Sequence, residues 1–444
     1  MTKDFLRIAL VSRILSIIGQ FIFNHLIPDH NAGVFESPYD ETTVSVGDAL
    51  IEFLFGGFRR WDAQYYLHIA EHGYTYENTL AFYPLYPIFV NLLTNVLLTF
   101  VPGISFRAGA LVCGVLLNVF FFCLAAYFLV QLSRLVLKNE HMSLTVGYLF
   151  CINPASVFFS APYSESLFAV VTFSVIAESV RGNILLALVP LSMGILCRSN
   201  GLINIGFVLY QAIRLFWLDR SFQARFKLAV KLLIVLVVSG FTFLSIQRYH
   251  FSLFCVKSSI RHSSEIVNYA KANDFILSGN GSLISSPWCG AKLPSAYTYV
   301  QSHYWNVGLF NYYEFKQIPN FILAIPILFL FLKMLYAYYA NAFITVNRFG
   351  TRKAVKMLFF DANLSTGGLV YMVHVTFLTL VCVLFVHIQV TTRLLASSSP
   401  CLYWFAANYF KATQLNGRAK LILIWFGGYT VLGTILFSNN LPWT

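Results

Sequence analysis

Apolar stretches of about 20 residues recur along the whole chain, each long enough to cross a hydrocarbon core of roughly 30 Å. They lie near residues 8–27, 81–101, 108–130, 142–160, 166–180, 183–197, 201–218, 227–247, 318–340, 368–390 and 419–438. This pattern predicts an all-α polytopic membrane protein with roughly 9–12 transmembrane helices. The four stretches between 142 and 218 are short and tightly spaced, which leaves re-entrant or broken helices open there. No internal repeat or low-complexity tract interrupts the pattern. The 444 residues therefore read as one integral-membrane domain, with little room for a separate soluble enzyme.

Composition agrees: 58% of residues are apolar and only 11% charged, which excludes an ordinary soluble globular protein. The 30 Lys and Arg against 18 Asp and Glu give a net charge of +12. In a soluble chain that excess would point to nucleic acid. Here the basic residues sit mostly in short connections and act as topology signals, so no nucleic-acid partner is expected. Acidic residues concentrate between Asp29 and Glu77, opposed only by Arg59 and Arg60, which marks a translocated loop over about 28–80. Arg214, Arg220, Arg225, Lys227 and Lys231 form one basic cluster, and Arg348, Arg352, Lys353 and Lys356 another, as cytosolic connections do. Between them lies a second translocated loop, about 248–317, with the sequon Asn280-Gly281-Ser282 and with Cys255 and Cys289. The sequon Asn363-Leu364-Ser365 follows a basic cluster and is read as chance. Cys113, Cys123, Cys151, Cys197 and Cys382 lie in apolar stretches without metal-ligand spacing. The first stretch, Ile8 to Ile27, lacks a small-residue cleavage site and fits a retained signal anchor.

Two large loops on one side of a many-helix bundle suit an enzyme acting on a lipid-linked substrate better than a carrier, whose site sits near the bilayer midplane. Gly56 to Ala70 predicts a short helix after a glycine pair, with Phe58, Trp61, Tyr65 and Ile69 on one stripe. Such a stripe suits a helix lying flat in the membrane interface. Asp62, beside it, is a partly desolvated acid suited to general-base work, with a solvated surface acid as the plain alternative. Glu71 and Glu77 are read as ordinary loop acids whose replacement by Gln changes little. Glu165 stands in apolar sequence, where an ionisable group is costly; it is either functional or a paired structural acid. His25, His68 and His72 have no sequence partner and are read as surface or interface residues.

Phe58 to Tyr66, followed by Ala81-Phe82-Tyr83-Pro84-Leu85-Tyr86-Pro87, resembles the first lumenal loop of the PIG-V family of multi-pass mannosyltransferases, glycosyltransferases of GT-C type. Asn153-Pro154-Ala155-Ser156-Val157-Phe158-Phe159, Tyr163-Ser164-Glu165-Ser166-Leu167-Phe168, Arg198-Ser199-Asn200-Gly201, Phe315-Lys316-Gln317-Ile318-Pro319-Asn320-Phe321 and Ser397-Ser398-Ser399-Pro400 resemble further family blocks in the same order. The resemblance spans nearly the whole chain.

It implies transfer of the second mannose of the glycosylphosphatidylinositol (GPI) anchor, in α1,6 linkage, from dolichyl phosphate mannose on the lumenal face of the endoplasmic reticulum membrane. The partners are then a lipid-linked donor and the GPI precursor as acceptor. A β-linked donor and an α-linked product require a single inverting displacement with one base. The family's base is an acid of the first lumenal loop, which corresponds to Asp62, with Trp61 packing the loop or a sugar face. The departing phosphate calls for positive charge, and a guanidinium binds two phosphate oxygens at once. Arg393 and Arg198 are the candidates, with Lys316 and Gln317 behind them; snorkelling or helix-end roles suit each as well. No Asp-x-Asp pair is present, and neither a metal nor a cofactor is expected. Cys255 and Cys289 are expected to pair, because that lumen is oxidising. The rival readings are another dolichol-phosphate-dependent mannosyltransferase and a multi-pass transporter.

Overall fold

The computed structural model describes residues 2–39, 44–279, 286–360, 368–411 and 414–443. In chain order the helices are α1 (Thr2–Leu26), α2 (Val46–Phe55), α3 (Asp62–His72), α4 (Leu85–Phe100), α5 (Phe106–Leu137) and α6 (Glu140–Cys151). There follow α7 (Glu165–Arg181), α8 (Leu188–Cys197), α9 (Ile205–Leu218), α10 (Phe222–Phe254), α11 (Ser264–Ala272) and α12 (Ala296–Trp305). The last third holds α13 (Ile318–Phe349), α14 (Thr351–Phe360), α15 (Leu369–Leu384), α16 (Thr391–Ser398), α17 (Cys401–Ala407) and α18 (Gly417–Ser438). A two-residue antiparallel hairpin, β1 (Phe410–Lys411) with β2 (Gln414–Leu415), joins the last two helices. Among the described residues, six helices are long and apolar enough to cross a membrane: α1, α5, α10, α13, α18 and the Ser199–Leu218 run that includes α9. The helices α4, α8 and α15 are shorter apolar ones.

Local chemistry sets the helix starts. Ser45 and Asp48 cap α2 reciprocally, each side chain accepting the other's backbone N–H. Ser105, Asn139 and Asn416 accept the N–H of Ala108, Met142 and Ala419 at the starts of α5, α6 and α18. The stretch 142–160, where the sequence leaves a broken helix open, is a broken one. Pro154 has no N–H and disfavours helix at Asn153, so α6 stops at Cys151. The Asn153 side chain completes the turn, donating to the Phe150 carbonyl and accepting from the Ala155 N–H, both at 2.9 Å.

From Asn153 to Ser164 the chain runs buried, with one 3₁₀ turn at Ser156–Phe159. Two polar residues inside apolar helices satisfy it. Arg13 of α1, itself fully buried, donates to the carbonyls of Ser156 (2.7 Å) and Cys151 (3.3 Å) and to the hydroxyls of Ser156 (2.6 Å) and Ser160 (3.0 Å). Its guanidinium lies 3.8 Å from the centre of the Phe122 ring. Asn118 of α5 donates to the carbonyls of Ala161 and, at 2.9 Å, Tyr163. This buried run delivers Glu165 as the first residue of α7, a 17-residue helix enclosed along most of its length, about 25 Å long at 1.5 Å per residue.

The far end of α7 packs near α9 and α14. Ser179 and Val180 line a small cavity with Tyr210 and Arg214. Tyr210 and Arg214 reach the carbonyls of Phe359 (2.6 Å) and Phe360 (3.0 Å). Both basic clusters therefore gather at the end of the bundle remote from Glu165, with Arg225, Lys227 and Lys231 in the first turns of α10 and Arg352, Lys353 and Lys356 on α14.

The two large loops pack on each other. Glu77 N–H donates to the Ile276 carbonyl and Ser278 N–H to the Thr75 carbonyl, both at 2.9 Å. The Cys255–Cys289 disulfide forms as expected, with 5.5 Å between Cα atoms. Both sequons, at Asn280 and Asn363, lie outside the described residues. Glu77 differs from expectation. It is fully buried, and its carboxylate accepts from Ser286 Oγ (2.6 Å), Trp288 Nε1 (2.9 Å) and Tyr304 OH (3.0 Å). A loop acid looks solvated in sequence because its three donors are over 200 residues away. Burial, then the Glu77 charge, raises the Tyr304 phenol well above its ordinary value.

Two outcomes follow for stability. Glu77→Gln gives its donors a poorer set of acceptors, and should destabilise the docked loops by about 1–3 kcal/mol, read as a lower thermal midpoint, whereas Glu71→Gln, at a partly exposed acid whose one ion pair is with His72 at 3.7 Å among the described residues, should not. Alkylation of the denatured, unreduced protein should modify the free cysteines and spare Cys255 and Cys289; their bond stabilises a 34-residue separation by about 3–4 kcal/mol in the chain-entropy model.

Candidate active site

Asp62 opens α3 directly after a tight turn. Trp61, before it, has φ 53° and ψ −127°, a region that L side chains rarely adopt and that costs about 1–3 kcal/mol. Tyr163, at the end of the buried run, holds this turn: its oxygen accepts the Asp62 N–H at 3.0 Å, and its hydroxyl donates to the Arg60 carbonyl at 3.4 Å. Arg60 is anchored in turn, donating to the Ser438 carbonyl (3.0 Å) and to Asp29 (2.7 Å). The first turn of α3 is thus fastened by hydrogen bonds to the buried run before α7 and to α18.

Four charged side chains from four parts of the chain meet there. Arg393 Nη2 of α16 lies 2.7 Å from Asp62 Oδ2, and its Nη1 3.5 Å from Glu165 Oε1. Arg198, just past α8, places Nη1 2.5 Å from the same Glu165 oxygen and donates to Ser164 Oγ at 3.1 Å. Ser164 also bonds the Tyr66 hydroxyl at 2.7 Å. Side-chain exposure falls from 28% at Asp62 through 8% at Arg393 to 0% at Glu165, so Asp62 is the mouth of the cluster and Glu165 its floor. The rings of Phe158 and Tyr163 lie 5.2 and 5.3 Å from the Arg393 guanidinium carbon. Two carboxylates and two guanidiniums cancel formally. Removing one member of such a buried set typically costs about 3–5 kcal/mol, because it strands the others.

Arg198 owes its place to Gly201. A Cβ on Gly201 would run into the Gly194 carbonyl of α8, so only glycine lets the 3₁₀ turn Ser199–Asn204 close back on that helix. Asn200 and Ser199 extend the contact, donating to Ser398 Oγ (3.0 Å) and the Tyr297 hydroxyl (2.9 Å).

The other sequence candidates lie elsewhere. Lys316 is largely exposed and pairs with Glu314 at 2.6 Å. Gln317 Oε1 accepts from the Tyr312 hydroxyl (2.7 Å) and Asn320 Nδ2 (2.8 Å). Tyr312 stacks on His387 at 4.5 Å, and His387 donates through Nε2 to the Trp305 carbonyl at 2.7 Å. Burial draws the His387 imidazole below its usual value, against smaller upward pulls from its bond to the Trp305 carbonyl and from Asp62.

The aromatic stripe is placed differently from the sequence reading. Phe58 precedes α3, in a 3₁₀ turn, and is fully buried, as is most of Ile69. Tyr65 stacks between Phe35 (4.3 Å) and Phe82 (4.6 Å). The stripe faces protein, because the two packed loops cover it. His68 is likewise buried rather than at a surface, bonded to Ser37 Oγ (2.7 Å) and Thr75 Oγ1 (2.6 Å). Sequence reasoning passed over Tyr163, Ser164 and Tyr66 as site residues; the adjacency of Tyr163-Ser164 to Glu165 was the available signal.

A family model described as "Mannosyltransferase (PIG-V)" matches residues 2–444. The chain is 38% identical to "GPI mannosyltransferase 2" of Drosophila melanogaster over 455 residues, covering 100% of both chains. It is 34% identical to "GPI alpha-1,6-mannosyltransferase 2" of Homo sapiens over 490 residues, covering 100% of this chain and 98% of the human one. A more distant relative, "GPI mannosyltransferase pigv-1" of Caenorhabditis elegans, is 26% identical over 90% of this chain and 74% of its own. With a match of this extent, the chain belongs to the PIG-V mannosyltransferase family.

Proposed function

We propose that this enzyme transfers the second mannose of the GPI anchor, in α1,6 linkage, from dolichyl phosphate mannose to the lipid-linked precursor on the lumenal side of the endoplasmic reticulum. The names of its relatives support the linkage and the acceptor. The observation that carries the mechanism is the pairing of a half-open carboxylate, Asp62, with a buried guanidinium, Arg393, at 2.7 Å. An inverting transfer needs one base on the acceptor hydroxyl and positive charge at the departing phosphate, and here the two lie side by side. Arg198 adds a second guanidinium behind the first. The gathering of both basic clusters at the opposite end of the bundle supports a lumenal site, since such clusters stay on the cytosolic side.

In this mechanism the acceptor hydroxyl gives its proton to Asp62 as its oxygen bonds to the anomeric carbon of mannose. The bond from that carbon to the phosphate oxygen breaks, and its electron pair leaves with dolichyl phosphate. Glu165, wholly enclosed, touches neither substrate and holds Arg198 beside Arg393.

Asp62→Asn keeps shape and most hydrogen bonding while removing the base, and should slow transfer by about 10²- to 10⁴-fold. Cells relying on it, at normal protein levels, should accumulate the GPI precursor with a single mannose and display little anchored protein; normal surface display would remove Asp62 from the role. The two guanidiniums face a monophosphate leaving group, so transfer by the purified protein should persist in EDTA. An EDTA loss restored by a divalent cation would assign the phosphate charge to a metal instead.

A further inference from the structure

We propose that Arg393 changes partner during the reaction, holding the Asp62 carboxylate in the resting enzyme and passing to the donor phosphate as Asp62 takes the acceptor proton. This rests on the reading of Asp62 as base and Arg393 as phosphate ligand given above.

The charge changes of the reaction favour such a movement. When the hydroxyl proton reaches Asp62, a negative charge disappears there. When the sugar–phosphate bond breaks, one appears on the phosphate. A single positive charge within reach of both sites follows that transfer at little electrostatic cost, whereas a fixed one favours only one end of it. While the guanidinium holds Asp62, it also competes with the proton for the carboxylate oxygens, so an enzyme with Arg393 locked in place keeps its base masked.

The contacts single out Arg393 as the mobile member. Arg198 is tied to Glu165 at 2.5 Å and to Ser164 at 3.1 Å. Arg393 approaches Glu165 only to 3.5 Å, and its Nε is buried with no hydrogen-bond partner among the described residues. Among the described residues its one close ion-pair contact is with Asp62, the most exposed member of the cluster. The unused Nε and an Nη together form the fork that binds two oxygens of a phosphate. Glu165 stays behind as a fixed counter-charge, so Arg393 remains balanced while its other partner changes. Phosphate capture by Arg393 and protonation of Asp62 are then linked, each favouring the other by the same factor.

Binding of a short-chain polyprenyl phosphate to the purified full-length protein in detergent micelles tests this. Because the neutral amide no longer competes for Arg393, Asp62→Asn should bind the phosphate about three- to tenfold more tightly than the unsubstituted protein. Arg393→Gln should bind it more weakly, and the gain from Asp62→Asn should vanish in the double variant. A purely structural role for the pair would weaken binding in every variant. Unchanged or weaker binding by Asp62→Asn, with Arg393→Gln still weakened, overturns the exchange and leaves Arg393 a simple phosphate ligand. If neither Arg393→Gln nor Arg198→Gln weakens binding, the phosphate site itself is wrong, a separate result. Thermal unfolding checks each variant. Should Arg393→Gln not fold, Arg393→Lys keeps the charge without the fork and takes its place, with the same ordering of affinities expected.

Discussion

A run of irregular chain buried among apolar helices must find every hydrogen-bond partner inside the protein, because neither lipid nor core supplies any. The segment from Asn153 to Ser164 meets that demand through Arg13 and Asn118, polar residues set in the otherwise apolar helices α1 and α5. Much of the site depends on the result. Tyr163 leaves this run to hold the backbone of Asp62, Ser164 to meet Arg198 and Tyr66, and Glu165 to begin α7. Were the segment a continuous helix through 142–160, these groups would have no common approach to α3.

The charged cluster is a second consequence. Glu165 at the head of α7 is wholly enclosed, so its charge is tolerable only with Arg198 and Arg393 beside it. Those two arginines carry their own burial cost, which Asp62 at the open side helps to offset. Glu165 and the two arginines are therefore conditions for one another. The arrangement grades from a sealed floor at Glu165 to a partly open mouth at Asp62.

Strain and fastening complement one another around it. The unfavourable backbone of Trp61 persists because Tyr163 bonds on both sides of it. Above the site, the two loops are joined by the Glu77 carboxylate and its three donors, near the Cys255–Cys289 bond.

Several features were legible in the residues alone. Apolar runs longer than a hydrocarbon core announce helices through a membrane, whatever their neighbours, and a skewed distribution of acids and bases separates one end of the bundle from the other. Glu165 stood out because charge in apolar surroundings is costly, Asp62 for its aromatic neighbours and its match to the family's lumenal acid, and Arg198 and Arg393 because the departing phosphate that the resemblance implies calls for positive charge. Their meeting was not legible. Glu165 and Arg393 are more than 200 positions apart, and hydropathy registers only what it costs to bury a side chain, not which group will meet it. The same blindness made Glu77 look solvated and turned the aromatic face of α3 toward the membrane. Local chemistry acts over a few residues and can be read along the chain. Whether a buried polar group is satisfied depends on partners brought from elsewhere in the fold, and only the packing of the helices decides that.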